Sequence, residues 1–109
     1  MSITEIKTID NISLGPDGKC YLTISDHLDW NDQERHLSYL QEKLNNYVGF
    51  IQSNQLTKLY PDYENKQLVI QVFAKFDIPK SIYEIAFNKI AKSLSEDGYE
   101  FKWSKLNEQ

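Results

Sequence analysis

Apolar residues occupy every second position in three stretches of the chain, which is the spacing of a strand with one buried face. These stretches predict strands over Lys19–Asp26, Leu68–Phe76 and Tyr99–Ser104, and a weaker pattern predicts another over Ile6–Leu14. The turn sequence Gly-Pro-Asp-Gly, at residues 15–18, separates the first two of the four strands. Because proline presets one turn position and glycine accepts positive φ at another, this sequence predicts a β-hairpin.

Two other stretches carry apolar residues at the three- and four-residue spacing of a helix with one buried face. Asn31 is the predicted N-cap of the first helix, with Glu34 as its capping-box partner. A second capping box, Ser81 with Glu84, opens the other helix, and Gly98 ends it. The buried faces are predicted to carry Leu37, Leu40, Leu44, Val48 and Ile51 in the first helix, and Tyr83, Ala86, Phe87, Ile90 and Leu94 in the second.

The elements follow in the order β-β-α-β-α-β, and each strong strand has one apolar and one mixed face. This predicts an α+β fold: a two-layer sandwich in which a four-stranded sheet carries both helices on one face. A length of 109 residues fits a single domain over residues 1–109. No apolar run approaches the ~20 residues of a membrane span. Met1–Glu5 lacks signal-peptide features and Cys20 is the only cysteine, so we expect a cytoplasmic protein without disulfides.

The first helix carries aromatic residues on one flank, with Tyr39 and Phe50 well away from the centre of its buried face. Aromatic side chains near a polar rim favour protein interfaces. The alternative is that the connection over residues 55–66, which holds four large apolar side chains, folds over this flank and covers it. Gly49 interrupts the same helix and indicates close packing against a neighbour.

The other face of the sheet is predicted to point Tyr21, Thr23, Val69, Phe73 and Lys75 outward. Val69 and Phe73 there are consistent with either a homodimer contact or a small exposed patch. Aromatic residues on a sheet also resemble RNA-binding platforms, but the acidic balance of the chain and the lack of a basic stripe oppose that function.

The net charge of −4 lies entirely in the first third of the chain. Residues 1–35 hold seven acids and three bases, whereas residues 36–109 hold nine of each. Four of the acids fall between Asp26 and Glu34 with no base among them. This segment would repel a phosphate backbone and attract a basic protein, so we expect no nucleic-acid partner. The helix dipole explains acids at Asp32 and Glu34 better than at Asp26 and Asp29.

A denser sequence pattern extends from Ile24 to Pro61. It consists of ISDHLDW from Ile24, HL from His36, LQEKLN from Leu40, Tyr47, Phe50-Ile51 and Tyr60-Pro61. In this pattern the chain resembles a family of small uncharacterised bacterial proteins of about the same length. The resemblance implies a bacterial source and an uncharacterised function, and it supplies no catalytic residues.

A metal site is one interpretation of Asp26, His27, Asp29 and His36. Two carboxylates and two imidazoles are suitable ligands for a divalent metal, and they lie where a strand end meets a helix start, a common ligand position in α/β layers. The spacing is not that of a known zinc motif, because the two histidines are nine residues apart rather than four apart on one helix.

A structural interpretation of the same segment needs no ligand. Asp29 or Asn31 caps the helix, Asp32 pairs with His36, and Trp30 packs as a lid over the core.

Nucleophilic catalysis has weaker support. Ser25, Asp26 and His27 are the residue types of a catalytic triad, but adjacent strand residues point to opposite faces and do not converge. Cys20 lies on the apolar strand face, where a small buried hydrophobic residue is the simpler interpretation.

We therefore favour a small non-catalytic protein-interaction module that binds a basic protein partner. An inhibitor or immunity-type protein that neutralises a basic toxin is one form of such a module. The alternative is a metal-binding protein or metal-assisted hydrolase; no other cofactor is predicted. The predicted contacts with the protein partner are Asp26, Asp29, Trp30, Asp32, Glu34, Tyr39, Lys43 and Phe50.

Overall fold

The computed structural model describes residues 3–5 and 7–105. Within this part of the chain one mixed sheet contains four strands in chain order: β1 (Asn11–Leu14), β2 (Cys20–Asp26), β3 (Leu68–Ala74) and β4 (Glu100–Lys105). β1 and β2 are antiparallel, whereas β3 is parallel to both β2 and β4.

The helices connect the parallel strands. α1 (Gln33–Gln52) and a short α2 (Gln55–Leu59) lie between β2 and β3, and a 3-10 turn (Pro61–Tyr63) follows them. Between β3 and β4, a π-helical segment (Ile82–Phe87) continues directly into α3 (Asn88–Glu96). Parallel neighbouring strands need such crossovers, because the chain must return to the end of the sheet at which the previous strand began.

The hydrophobic core lies between one face of the sheet and the helices. Alternate residues of the strands contribute to it, together with one face of α1, Leu56 of α2 and the second helical region. This confirms the α+β two-layer arrangement. The most buried core side chains are Cys20, Leu22, Ile24, Leu40, Leu44, Tyr47, Leu56, Ile70, Val72 and Phe87.

The opposite face of the sheet is less exposed than predicted. Val69 is completely buried, although it does not belong to the core cluster between sheet and helices. Its neighbours on the adjacent strands are Tyr21 and Glu100, and Lys19 donates a 2.8 Å hydrogen bond to the Glu100 carboxylate. These longer side chains cover Val69, so the prediction that it is part of an exposed patch was wrong.

The predicted turns at glycines are confirmed. Gly18 has φ of +80° and donates to the carbonyl of Gly15, which closes the hairpin turn. Gly98 has φ of +87° just after α3 and donates to Ser95, while the next amide, that of Tyr99, donates to Leu94. This pair of hydrogen bonds is the Schellman arrangement that ends a helix.

The helix starts differ from the predicted capping boxes. Asp32, not Asn31, is the N-cap of α1, and its carboxylate accepts from the Arg35 amide. Ser81 makes no side-chain capping bond, because it is itself helical, with φ of −61° and ψ of −31°. Asp32 is one residue closer to the helix and accepts a hydrogen bond from an amide that has no partner within the helix. It therefore takes the capping role that the sequence assigned to Asn31.

Two other predicted boundaries change. The first strand covers Asn11–Leu14 rather than Ile6–Leu14; Ile6 itself lies outside the described residues. The strand predicted to reach Phe76 ends at Ala74, and the Phe76 side chain is exposed.

Among the described residues, no helix combines the length and the apolar character needed to cross a membrane.

Gly49 does not mark a close contact. A Cβ built on this residue would meet no atom within 4 Å, and the residue is exposed in the interior of α1. We therefore predict that Gly49→Ala stabilises the protein by about 0.5–1 kcal/mol, because alanine is the better helix former. Urea unfolding measures the change.

Gly98→Ala is the matched control for this prediction. A Cβ there also has open space, but the φ of +87° is strained for alanine, so this variant should be less stable than the wild type. A loss of stability in Gly49→Ala would contradict the prediction and indicate a contact at this position.

Candidate functional site

A buried acid–imidazole pair joins β2 to α1. Asp26 is the last residue of β2, and His36 lies in the first turn of α1. Their side chains are 0% and 1% exposed, and Nε2 of the histidine lies 2.6 Å from Oδ2 of the aspartate. The other ring nitrogen, Nδ1, lies 2.9 Å from the carbonyl oxygen of Asp29. Both nitrogens of this histidine are therefore engaged inside the protein.

The hydrogen bonds define the number of protons in this pair. A carbonyl oxygen only accepts, so Nδ1 of His36 carries a hydrogen and donates to Asp29. The contact with Asp26 needs one further proton, held either on Nε2 or on the carboxylate. In either case the pair has no net charge, so burial leaves no single unpaired charge in the interior.

Trp30 covers the pair on its outer side. Its ring stacks on the His36 ring with centroids 3.5 Å apart and planes 14° apart, and it meets the edge of Phe87 at 6.2 Å. Its Nε1 is buried without a hydrogen-bond partner among the described residues. Trp30 thus packs as a lid that connects the start of α1 to the second helical region.

The structure does not bring the four residues of the alternative metal site together as ligands. His36 has no free nitrogen, and His27 is exposed on the surface. Across residues 3–5 and 7–105, the geometry brings no three His, Cys, Asp or Glu side chains together in a way that would hold a metal ion. The structural interpretation is closer, although the histidine pairs with Asp26 rather than with Asp32.

A second buried polar network lies two to three turns further along α1. Lys43 is fully buried, and its Nζ donates at 2.8 Å both to the Asp10 carboxylate and to the Glu5 carbonyl oxygen. Asp10 also accepts from the Ser25 amide at 3.0 Å. One turn later, Tyr47 donates to the Thr23 carbonyl at 2.6 Å and accepts from the Asp10 amide at 2.9 Å.

Burial determines the ionisation of this tyrosine. Removal from water disfavours the phenolate and raises the pKa of Tyr47. The hydroxyl therefore stays protonated and continues to donate to the strand carbonyl. Burial likewise raises the pKa of Cys20, which is free and lies in the core. A cysteine in that setting has little thiolate and is a poor nucleophile.

The N-terminal residues lie along the aromatic flank of α1. The Ile3 amide donates to the Ser25 carbonyl at 2.9 Å, and the Ile3 side chain is completely buried. Thr4 and Tyr39 line one small hollow, and Ile9 and Phe50 line another depression, so this flank stays partly open. The alternative drawn from the sequence was that the connection over residues 55–66 covers this flank. It inserts Leu56 into the core instead.

The structure separates the residues that were predicted to form one binding surface. Asp26 and Lys43 are in the interior, paired and inaccessible to a partner, so they do not belong to that surface. Asp29, Asp32 and Tyr39 line a small hollow of about 210 Å³ with His36 at its base. Glu34 lies on the other side of the helix start. Phe50 borders a third depression, beside Lys7 and Ile9.

A groove with a volume of about 650 Å³ lies between α1 and α3. The groove is open to solvent along one side. Its apolar lining comes from Leu37, Leu44, Val48, Ala86, Ile90 and Leu94. Glu34, Lys89 and Asp97 are its charged lining residues.

Sequence reasoning missed this groove because it treated every apolar position on both helices as core. Leu37, Val48, Ala86 and Ile90 are in fact only partly buried. The available signal was the width of the apolar arc on α1: Leu37 and Val48 lie at its edge, away from the stripe that carries His36 and Lys43.

Comparison with known proteins identifies the family of the chain. A model of a family of unknown function, DUF6572, matches residues 1–107, so the chain belongs to this family. This confirms the resemblance to an uncharacterised family. Searches of curated proteins and of solved structures found no match to the chain.

The hydrogen-bond account of the buried pair predicts different effects for two substitutions of similar size. Asp26→Asn retains an oxygen for the Leu28 amide and supplies an N–H to Nε2 of His36, so we expect a loss of about 1 kcal/mol or less. Asp26→Leu leaves the Leu28 amide and Nε2 of His36 without a partner, and should lower the free energy of unfolding by about 3 kcal/mol.

Urea unfolding of the two variants beside the wild type measures these losses. Equal losses for asparagine and leucine would contradict the account, because the effect would then come from packing around position 26 rather than from the hydrogen bonds.

Proposed function

We propose that this member of the DUF6572 family is a protein-interaction module, and that the groove between α1 and α3 is its binding surface. The observation that carries the proposal is the groove itself. It exposes partly buried apolar side chains of both helices, and the described residues of the chain leave it uncovered. Apolar side chains that stay accessible in a concave surface offer area that a partner can bury.

The shape of the groove favours a macromolecule over a small molecule. Along α1 its lining extends from Glu34 to Gln52, which corresponds to ~27 Å at 1.5 Å per residue. Small-molecule sites usually enclose most of the ligand surface. A trough that is open along one side over this distance instead suits a segment of another protein.

Exposed carboxylates next to the groove support a partner with basic residues. Glu34 lies in the groove, and Asp29 and Asp32 lie in the hollow on the other side of the start of α1. Arg35 is the exposed base among them. The carboxylates outnumber it, so the local field would accelerate association with a basic surface. A cytoplasmic location is part of the proposal and is supported by the lone, buried and free Cys20.

Site-specific photo-crosslinking in the organism that produces the protein tests this proposal. A photoreactive residue replaces Gln41 or Ser93, which line the groove from α1 and α3. The matched controls replace Glu42 and Ser95, which are exposed on the same helices but do not line the groove. We expect both groove positions to capture the same protein, and both control positions to capture much less of it.

Two results would contradict the proposal. One is the absence of a captured protein at both groove positions. The other is equal capture at groove and control positions, which would indicate contact with a different surface or nonspecific proximity.

A further inference from the structure

We propose that Asp97 is a site of spontaneous isomerisation to isoaspartate, and that hydrogen bonds to the Asp17 carboxylate protect Asp17 from the same reaction. Both aspartates precede a glycine, and they form the two Asp-Gly sequences of the chain. A glycine favours this reaction because no Cβ obstructs the approach of its amide nitrogen. A modification of this kind needs no binding partner, so it goes beyond the proposed function.

The reaction begins when the amide nitrogen of Gly98 attacks Cγ of Asp97 in its protonated, carboxylic acid form. The new C–N bond closes a five-membered succinimide ring, and the carboxyl OH leaves with the amide hydrogen as water. Water then adds to the bond between this nitrogen and the main-chain carbonyl carbon of Asp97, which breaks. The main chain now passes through Cγ, and the former carbonyl is a free carboxylate. Water is lost and regained, so no oxidant, reductant or cofactor is needed.

The two sites agree in the features that control access to the glycine amide. Both aspartates and both glycines are exposed to solvent. Gly18 has φ of +80° and Gly98 has φ of +87°, and each donates a 3.0 Å hydrogen bond to a carbonyl oxygen three residues earlier. A difference in rate therefore has to come from the aspartate side chains or from the freedom of the two turns.

The two carboxylates differ in their hydrogen bonds. Oδ2 of Asp17 accepts from the Tyr21 hydroxyl at 2.5 Å, and Oδ1 accepts from the Lys19 amide at 3.0 Å. The Tyr21 hydroxyl, and after it the Lys19 amide, stabilise the ionised form and lower the pKa of Asp17. The Asp97 carboxylate accepts no hydrogen bond and joins no ion pair within the described part of the chain. Asp17 is therefore held as an anion, whereas the side chain of Asp97 is free to turn toward the Gly98 amide.

The turns themselves also differ in their freedom to open. Asp97 is the C-cap of α3 with ψ of 0°, which places the Gly98 nitrogen beside the amide nitrogen of Asp97 rather than beside Cβ. The turn must therefore open before the ring closes, and the last turn of a helix opens readily. The hairpin turn is instead held by the hydrogen bonds that Asp17 accepts from Lys19 and Tyr21.

Isomerisation would change the surface at the end of α3. It adds a methylene to the main chain between α3 and β4, where the amides of Gly98 and Tyr99 now donate to Ser95 and Leu94. Asp97 also lines the α1–α3 groove, so the modified chain would present a displaced carboxylate there. A preparation that ages therefore becomes a mixture of two forms of this groove.

The rates of isoaspartate formation in the folded wild type at neutral pH provide the test. Digestion with an endoprotease that cuts before aspartate but not before isoaspartate, followed by mass spectrometry, measures each site separately. We expect the rate at Asp97 to exceed the rate at Asp17 about ten-fold, because each of the two hydrogen bonds contributes roughly two- to ten-fold. In guanidinium chloride both turns are lost, so the two rates should become similar.

Tyr21→Phe isolates the role of the tyrosine hydroxyl. It keeps the ring and removes one hydrogen bond, so we expect the rate at Asp17 to rise about two- to ten-fold. Since the acid is the reacting form, the pH above which this rate falls should also move upward, because the variant loses a bond that favours the ionised carboxylate. Asp97 in the same molecules is the matched control, and its rate should not change.

Four results would overturn the inference. They are equal rates at the two sites in the folded wild type, reaction at Asp97 only in guanidinium chloride, an unchanged rate at Asp17 in Tyr21→Phe, and an equal rise at both sites in this variant. The last result would show that the variant loosens the whole fold, rather than that the hydroxyl protects Asp17. The wild-type comparison decides the matter if Tyr21→Phe does not fold.

Discussion

Three buried polar side chains on one stripe of α1 hold the rest of the structure to this helix. His36, Lys43 and Tyr47 follow each other at seven and four residues, so they lie on the same edge of the helix. His36 binds the end of β2 through Asp26, and Lys43 binds the N-terminal residues through Asp10. Tyr47 links both, since it donates to a β2 carbonyl and accepts from the Asp10 amide. A buried polar side chain that loses its hydrogen bond destabilises the fold more than an apolar contact at the same place stabilises it. These hydrogen bonds therefore specify one arrangement of α1, β2 and the N-terminal residues.

This constraint also determines where a partner can bind. The polar stripe and the N-terminal residues occupy one side of α1, which removes Lys43 from the surface and ties Glu5 and Asp10 to this helix. The other side of α1 faces α3 across a groove that the described chain leaves open. The internal hydrogen bonds of the fold therefore leave the α3 side of this helix as the accessible apolar surface.

Periodicity was sufficient to predict the elements and the layers, because local spacing determines which face of a strand or helix is apolar. The hairpin, the strand at Leu68, the α+β class and the glycine stop at Gly98 all follow from neighbouring residues. The buried pairs could not be predicted in this way. Asp10 and Lys43 are far apart in sequence, and a charged residue inside a helical stripe is normally solvated. The groove was missed for a related reason. The spacing of apolar residues at the border of a helix's apolar face is the same whether or not another element covers them.

Amide hydrogen exchange, measured by NMR on the wild type and on Lys43→Met, tests the role of the polar stripe most directly. The amides of Ile3 and Asp10 donate to Ser25 and Tyr47, so they should exchange nearly as slowly as the amide of Leu44 in the interior of α1. In Lys43→Met they should exchange rapidly while Leu44 stays protected. Rapid exchange of Ile3 and Asp10 in the wild type would contradict the account, because the N-terminal residues would then not be held to α1.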